Sequence, residues 1–157
     1  MTATVRRATE VDAARVADLA VSLFELHVVL DSKRFTQIAT KDGAAQFYGG
    51  RAEAENAAVF VAEVDERIIG FVYFEYEPVD YADLATNVAW LHDIYVEPEF
   101  RNSGIGSLLI EAVRNDARRL GANKVLLTVA ANNVEGQKLF KRTGFRTTML
   151  EMMLELE

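Results

Sequence analysis

Along this chain, apolar residues recur in two periods, and the switch between them marks out the elements. From Val16, the residues Leu19, Leu23, Leu26 and Leu30 return every three or four positions, which lines one face of a helix. Thr9, with Asp12 three residues later, places a capping arrangement in front of that run. A weaker pattern predicts a second helix between Thr40 and Asn56, interrupted at Gly49-Gly50, where two residues that lose much conformational freedom on ordering stand together. Before the first helix, "TVRRA" (Thr4 to Ala8) reads as a short strand. After the second, "AAVFVAEV" and "IIGFVYFEYE" flank a polar Asp65-Glu66-Arg67 link, the signature of an antiparallel hairpin.

The stretch from Pro78 to Asn87 reads as a loop, and "VAWLHDIYV" (Val88 to Val96) as a strand that ends before Pro98. From Ile105 the positions Leu108, Leu109, Ala112, Val113, Ala117 and Leu120 share a helical face that stops at Gly121. "KVLLTVA" then reads as a buried strand and "VEGQKLFKR" as a short helix. "FRTTMLEMMLEL" reads as a last strand, with Glu151 and Glu155 alternating against Leu150, Met152, Leu154 and Leu156. The order β-α-α-β-β-β-α-β-α-β is that of a mixed α/β fold. No repeat, low-complexity tract or linker divides the 157 residues, so one domain over 1–157 is expected.

Composition narrows the chemistry. The chain has no cysteine, which removes disulfides and thiolate ligands or nucleophiles, and its two histidines, His27 and His92, do not make an ordinary zinc site. No metal is expected. No apolar run approaches the roughly 18 residues of a membrane span, and no signal-peptide core opens the sequence, so neither a membrane partner nor export is expected and the location is read as cytoplasmic. A formal charge of −7 argues against nucleic acid as a partner. It suits a cationic small molecule, and it equally serves solubility.

One short motif carries chemistry. "RNSGIG", Arg101 to Gly106, falls between a strand and a helix, the layout that offers unpaired N–H groups and a positive helix end to an anion. Arg101 adds a charge, and Gly104 and Gly106 let backbone approach a phosphate. Leu109 stands where a dinucleotide fingerprint needs its third glycine, and the P-loop's Gly-Lys-Ser/Thr is missing, so neither a Rossmann site nor a nucleoside triphosphatase is supported.

"LHDIYVEPEFRNSGIGSLLIEAV" together with "VLLTVAANNVEGQKLFKRTGF" resembles the paired acetyl-CoA-binding motifs of the GNAT superfamily of N-acetyltransferases. Arg101, Gly104 and Gly106 meet its loop pattern, and Asn133, Phe140, Gly144 and Phe145 its downstream pattern. The resemblance implies a mostly antiparallel mixed sheet flanked by helices, with a parallel strand pair splayed to form the acetyl-CoA cleft. It implies that the pantetheine arm pairs with the strand at Ile94, Tyr95 and Val96. The diphosphate is then held by the backbone of Arg101, Asn102, Ser103, Gly104, Ile105, Gly106 and Ser107, and the arm's far end by Asn133, Gly136, Phe140 and Arg142. For Asn133 a helix cap is the alternative role. Lys138, Lys141 and Arg142 are placed to meet phosphate, or to form a solvated helix face.

Acetyl transfer to an amine needs a base, since an alkyl ammonium has a pKa of about 10.4. His92 is the preferred candidate and Asp93 the alternative; because strand neighbours point to opposite faces, only one of them lines a site unless a bulge intervenes. His27 reads as packing. Many family members carry a tyrosine where this chain has Phe140, which donates no proton. Tyr95, a water, or no acid at all then serves the departing thiolate, and Phe140→Tyr is expected to keep or raise turnover. The motifs look most like the diamine and polyamine acetyltransferase branch. The run "YFEYEPVDYADL" offers Glu75, Glu77, Asp80 and Asp83, with Tyr73, Tyr76 and Tyr81, to a polycation. Aminoglycosides, amino acids and protein amines stay open as acceptors, as does a non-catalytic acyl-CoA-binding regulator. The resemblance also implies a homodimer, across which "MLEMMLEL" is able to pair.

Overall fold

The computed structural model describes residues 2–157. Five strands form one sheet in the order β1-β2-β3-β4-β5: β1 (Ala3–Arg7), β2 (Ala57–Val64), β3 (Arg67–Asp80), β4 (Ala85–Val96) and β5 (Lys124–Leu126). The first three pairings are antiparallel, and only β4 and β5 run parallel. The helices are α1 (Ala13–Leu30), α2 (Lys41–Ala52), α3 (Ile105–Leu120) and α4 (Val134–Arg142).

Strand alternation divides the core in two. Ala57, Val59, Val61, Phe71 and Tyr73 face α1 and α2, whereas Ala58, Ala62, Val72 and Phe74 face α3 and Phe140 of α4. The result is an α/β/α sandwich.

The elements form where the pattern places them, for local reasons. The Thr9 N–H donates to the Asp12 carboxylate at 2.9 Å in a short turn ahead of α1, and Arg6 holds the same carboxylate. The β2–β3 turn needs only Asp65 and Glu66, both at positive φ, the primed geometry that matches strand twist. Gly121 ends α3 at φ +107°.

Four expectations are corrected. The helix at 41–52 runs unbroken through Gly49-Gly50; a β-carbon at Gly49 would sit 3.3 Å from that of Ala13, so the small residue serves close packing of α2 on α1. The stretch from Pro78 to Asn87 is mostly strand, and only residues 81–84 turn. Pro78 is tolerated because β2 pairs with β3 no further than Glu75, leaving the outer end of β3 without a neighbour on that side. "KVLLTVA" pairs over three residues only. "FRTTMLEMMLEL" is not a strand: residues 145–157 carry no helix or strand, and Glu151 and Glu155 are held instead by Arg34 and Lys33.

Candidate active site

The parallel pairing of β4 with β5 covers Val88, Ala89 and Trp90 and then stops, although β4 continues to Val96. The strand edge from Leu91 to Val96 therefore faces a gap rather than a neighbour, with backbone groups available to a ligand. Ile94 and Val96 pack toward the α3 side, Tyr95 toward the α1/α2 side. The outer end of β4 is pinned by Glu97, whose carboxylate lies 2.5 Å from Arg15 and 2.9 Å from Arg67.

At the far end of that strand, α3 begins without a side-chain cap. Its first backbone bond runs from the Leu108 N–H to the Gly104 carbonyl at 3.1 Å, so the N–H groups of Ile105, Gly106 and Ser107 have no acceptor within the helix. Gly104 needs its lack of a side chain for a left-handed φ of +86°, and Asn102 shares that region at +61°. Gly106 answers to packing: a β-carbon there would lie 2.8 Å from Leu139 Cδ2 of α4. Arg101 does not stand free; its Nε donates to the Val96 carbonyl at 2.7 Å and its guanidinium covers the Tyr95 ring. The Ser103 hydroxyl is likewise engaged, donating to the Phe100 carbonyl.

Asn133 caps α4, accepting from the Gly136 N–H at 2.9 Å. A β-carbon at Gly136 would collide with that side chain, which explains the glycine. Phe140 is 8% exposed and meets Phe145 edge-on, while Arg142 is exposed. The Tyr95 hydroxyl and the Phe140 ring thus approach the sheet from opposite sides.

A bulge in β4 shapes the second half of the site. Tyr73 pairs with Asp93 and Phe74 with Leu91, which leaves His92 as the extra residue. Both His92 and Asp93 consequently line one cavity of about 680 Å³, closed on its other sides by Phe24, Phe47, Tyr48 and Tyr73. The Tyr48 hydroxyl of α2 donates to Asp93 at 2.7 Å. Burial raises the Asp93 carboxyl above its ordinary value against the opposing pull of that hydrogen bond, and burial beside Asp93 raises the Tyr48 phenol out of its range, so Tyr48 stays a donor. His92 is exposed and stacks on Tyr73 at 5.3 Å and on Trp90 at 6.3 Å. Glu75, also on the cavity wall, accepts from Tyr73 at 2.8 Å and pairs with Arg51 at 3.1 Å. With Glu75 balanced by Arg51, Asp93 is the carboxylate whose partner there is a neutral phenol.

Of the acidic and aromatic run, Tyr73 and Glu75 reach the cavity. Tyr76 donates to Asn87, Asp80 accepts from Trp90, and Tyr81 is exposed on the hairpin tip. His27 bonds the Leu23 carbonyl and packs on Phe35. The sequence reading missed Tyr48 and Arg51. The signal for Tyr48 was the buried Ala44, Tyr48, Ala52 series at i, i+4 spacing, which runs across the two glycines. Among the described residues no cluster of three or more His, Asp or Glu side chains is placed to hold a metal, and no helix is long and apolar enough to cross a membrane.

Comparison with known proteins bears on this geometry. The family model described as Acetyltransferase (GNAT) family matches residues 20–145. An uncharacterized N-acetyltransferase, MJ1207 of Methanocaldococcus jannaschii, is 30% identical over 67% of this chain, which spans 46% of that protein. The uncharacterized N-acetyltransferase YhfO of Bacillus subtilis is 26% identical over 90% of this chain and 88% of its own. An aminoglycoside N(6')-acetyltransferase type 1 of Stenotrophomonas maltophilia is 25% identical over 92% and 87%. Among solved structures, aminoglycoside N-acetyltransferase AAC(6')-Iy in complex with CoA superimposes with a TM-score of 0.81 at 20% identity, covering 99% of this chain and 95% of that one. The BH1408 protein of Bacillus halodurans reaches 0.84 at 23%, covering 98% and 99%.

Proposed function

The chain belongs to the acetyltransferase (GNAT) family and is an N-acetyltransferase by that membership; from that premise we propose that residues 1–157 act as one domain moving an acetyl group from acetyl-CoA to a primary amine of a small polycationic acceptor. The observation that carries this is the joint placement of a ligand-sized cavity and a strand gap at the His92 bulge of β4. The residues present fit acetyl-CoA. Three open N–H groups at the start of α3 suit its diphosphate, and the unpaired edge of β4 suits the amides of its arm. Asn133 keeps its side-chain amide N–H groups for that arm while its oxygen caps α4. Acetyl-CoA supplies the acyl thioester, with a thiol of pKa about 8.5 as leaving group.

This chain's own residues do the rest. Asp93 accepts the ammonium proton, directly or through a water, because its raised carboxyl is a stronger base than an exposed aspartate. Tyr48 fixes the orientation of that carboxylate. His92, Tyr73 and Phe47 offer ring faces to the cationic acceptor. A volume of about 680 Å³ lies within the range for drug-sized ligands. It favours an aminoglycoside-like amine over a linear diamine, and the S. maltophilia relative's name points the same way.

Release of free thiol from acetyl-CoA, measured across aminoglycosides, polyamines, amino acids and lysine peptides, tests the reading. The highest kcat/KM is expected for multi-ring polycations. No release with any amine, alongside thermal stabilisation by acetyl-CoA, would make the chain a non-catalytic binding module; no stabilisation would overturn the cofactor assignment too.

A further inference from the structure

Two turns that belong to opposite halves of the site meet through one side chain. The first follows α1. The Asp31 carboxylate accepts from the N–H groups of Lys33 and Arg34, each at 3.2 Å, the Asp31 carbonyl accepts from the Phe35 N–H at 3.0 Å, and the Phe35 ring packs on His27. From there the chain runs to Ile38, Ala39 and Thr40, which wall the cavity, and Thr40 caps α2. Among the described residues no backbone–backbone hydrogen bond falls on 36–39. That wall is therefore held by its two ends, the turn at 31–35 and the Thr40 cap.

The second turn follows β5. The Asn133 N–H donates to the Ala130 carbonyl at 2.9 Å, and the Gln137 side-chain amide of α4 donates to the carbonyls of Ala130 and Ala131 at 3.1 and 2.9 Å. With Asn133 capping α4 as well, residues 130–133 are fastened to that helix. Asn132 joins the two turns. Its side-chain amide donates to the Leu30 carbonyl at 2.9 Å. Leu30 ends α1, so this carbonyl is one of the last four of the helix, which have no donor within it. Asn132 is exposed, so the bond rather than packing is what the residue contributes.

We propose that Asn132 is a positioning residue that carries donor occupancy to the acceptor wall. This rests on the acetyl-CoA reading above: an arm held at Asn133 steadies the 130–133 turn, the Asn132 bond steadies the end of α1, and the 31–35 turn passes that order to residues 36–40. The coupling is worth what one hydrogen bond is worth, about threefold to tenfold in an equilibrium. Because the bond is accepted by main chain, substitutions along the connection reshape the cavity without cutting the link.

Amide hydrogen exchange of the intact chain with and without CoA tests the idea whatever the acceptor is. CoA is expected to slow the open amides of Ile105, Gly106 and Ser107 by direct contact. It is also expected to slow the bonded amides of Asp31, Arg34 and Phe35 about threefold to tenfold, although these residues line neither the strand gap nor the start of α3. In Asn132→Ala the first effect is expected to stay and the second to vanish. Asn132→Asp, which keeps the shape and loses the donor, is expected to match the alanine variant. A bond that merely stabilised the fold would leave the CoA effect at 31–35 intact in both variants. That result, or slowing at 105–107 with 31–35 unmoved in the intact chain, would overturn the proposal and leave the donor reading standing. No slowing at 105–107 in the intact chain removes the donor reading and the proposal together.

Discussion

Asp93 is the base we propose, and its environment gives two opposed consequences of removing it. Its carboxyl sits above its ordinary value chiefly through burial, so the folded state holds the proton more tightly than the unfolded chain. The stability this contributes is present below the unfolded pKa and lost as pH rises through the folded one. Asp93→Asn, which mimics the protonated form, is therefore expected to raise Tm at neutral pH while lowering kcat on the order of 10²–10⁴-fold, with acetyl-CoA affinity unchanged. A fall in Tm together with full activity in calorimetry and thiol-release assays would contradict both halves. Tyr48→Phe removes the hydrogen bond that holds the Asp93 carboxyl down. The acid limb of the kcat/KM profile is expected to move to higher pH, whereas a tyrosine that merely packs would leave it in place. Sequence reasoning put His92 first on its intrinsic pKa. The i, i+4 series turns Tyr48 inward, but its partner was missed, because a contact between residue 48 and residue 93 is a tertiary fact that neither local pattern carries.

At the scale of elements, the splayed strand depends on its anchors. Glu97 joins α1 through Arg15 and β3 through Arg67, and its side chain is 17% exposed. Glu97→Ala leaves Arg15 without its carboxylate and Arg67 with Glu99 alone, at 3.7 Å, and is expected to cost about 1 kcal/mol, read as a lower urea midpoint. An unchanged midpoint would show that the strand end is held by backbone bonds alone. The four helices, the hairpin and the glycine turn ahead of α3 were legible because periodicity, caps and glycines act locally. The bulge was not, since it records how β4 registers on β3, and sequence supplied only its condition: His92 and Asp93 share a site if the strand slips by one. Pro78 misled for a similar reason. Whether a proline breaks a strand depends on whether that flank has a neighbour, and β2 stops short of it.

For the whole molecule, a charge of −7 and a cavity holding Asp93 and Glu75 set the field that the polycationic acceptor we propose would meet. Raising ionic strength from about 0.01 M to 0.15 M shortens the Debye length from about 30 Å to 8 Å. It is expected to lower kcat/KM for a multiply charged acceptor several-fold, more than for a singly charged amine; equal sensitivity would place the recognition in contacts rather than in the field. The fold class was legible at this scale, but the absence of a strand at 146–157 was not, because an alternating sequence favours pairing without fixing a neighbour to pair with. The cavity walls come from residues 24–93 and the anion seat we propose from the start of α3. Mutations that remodel one leave the other untouched, so a descendant of this enzyme can change its customer by drift in α1, α2 and their connection, without relearning how to hold its donor.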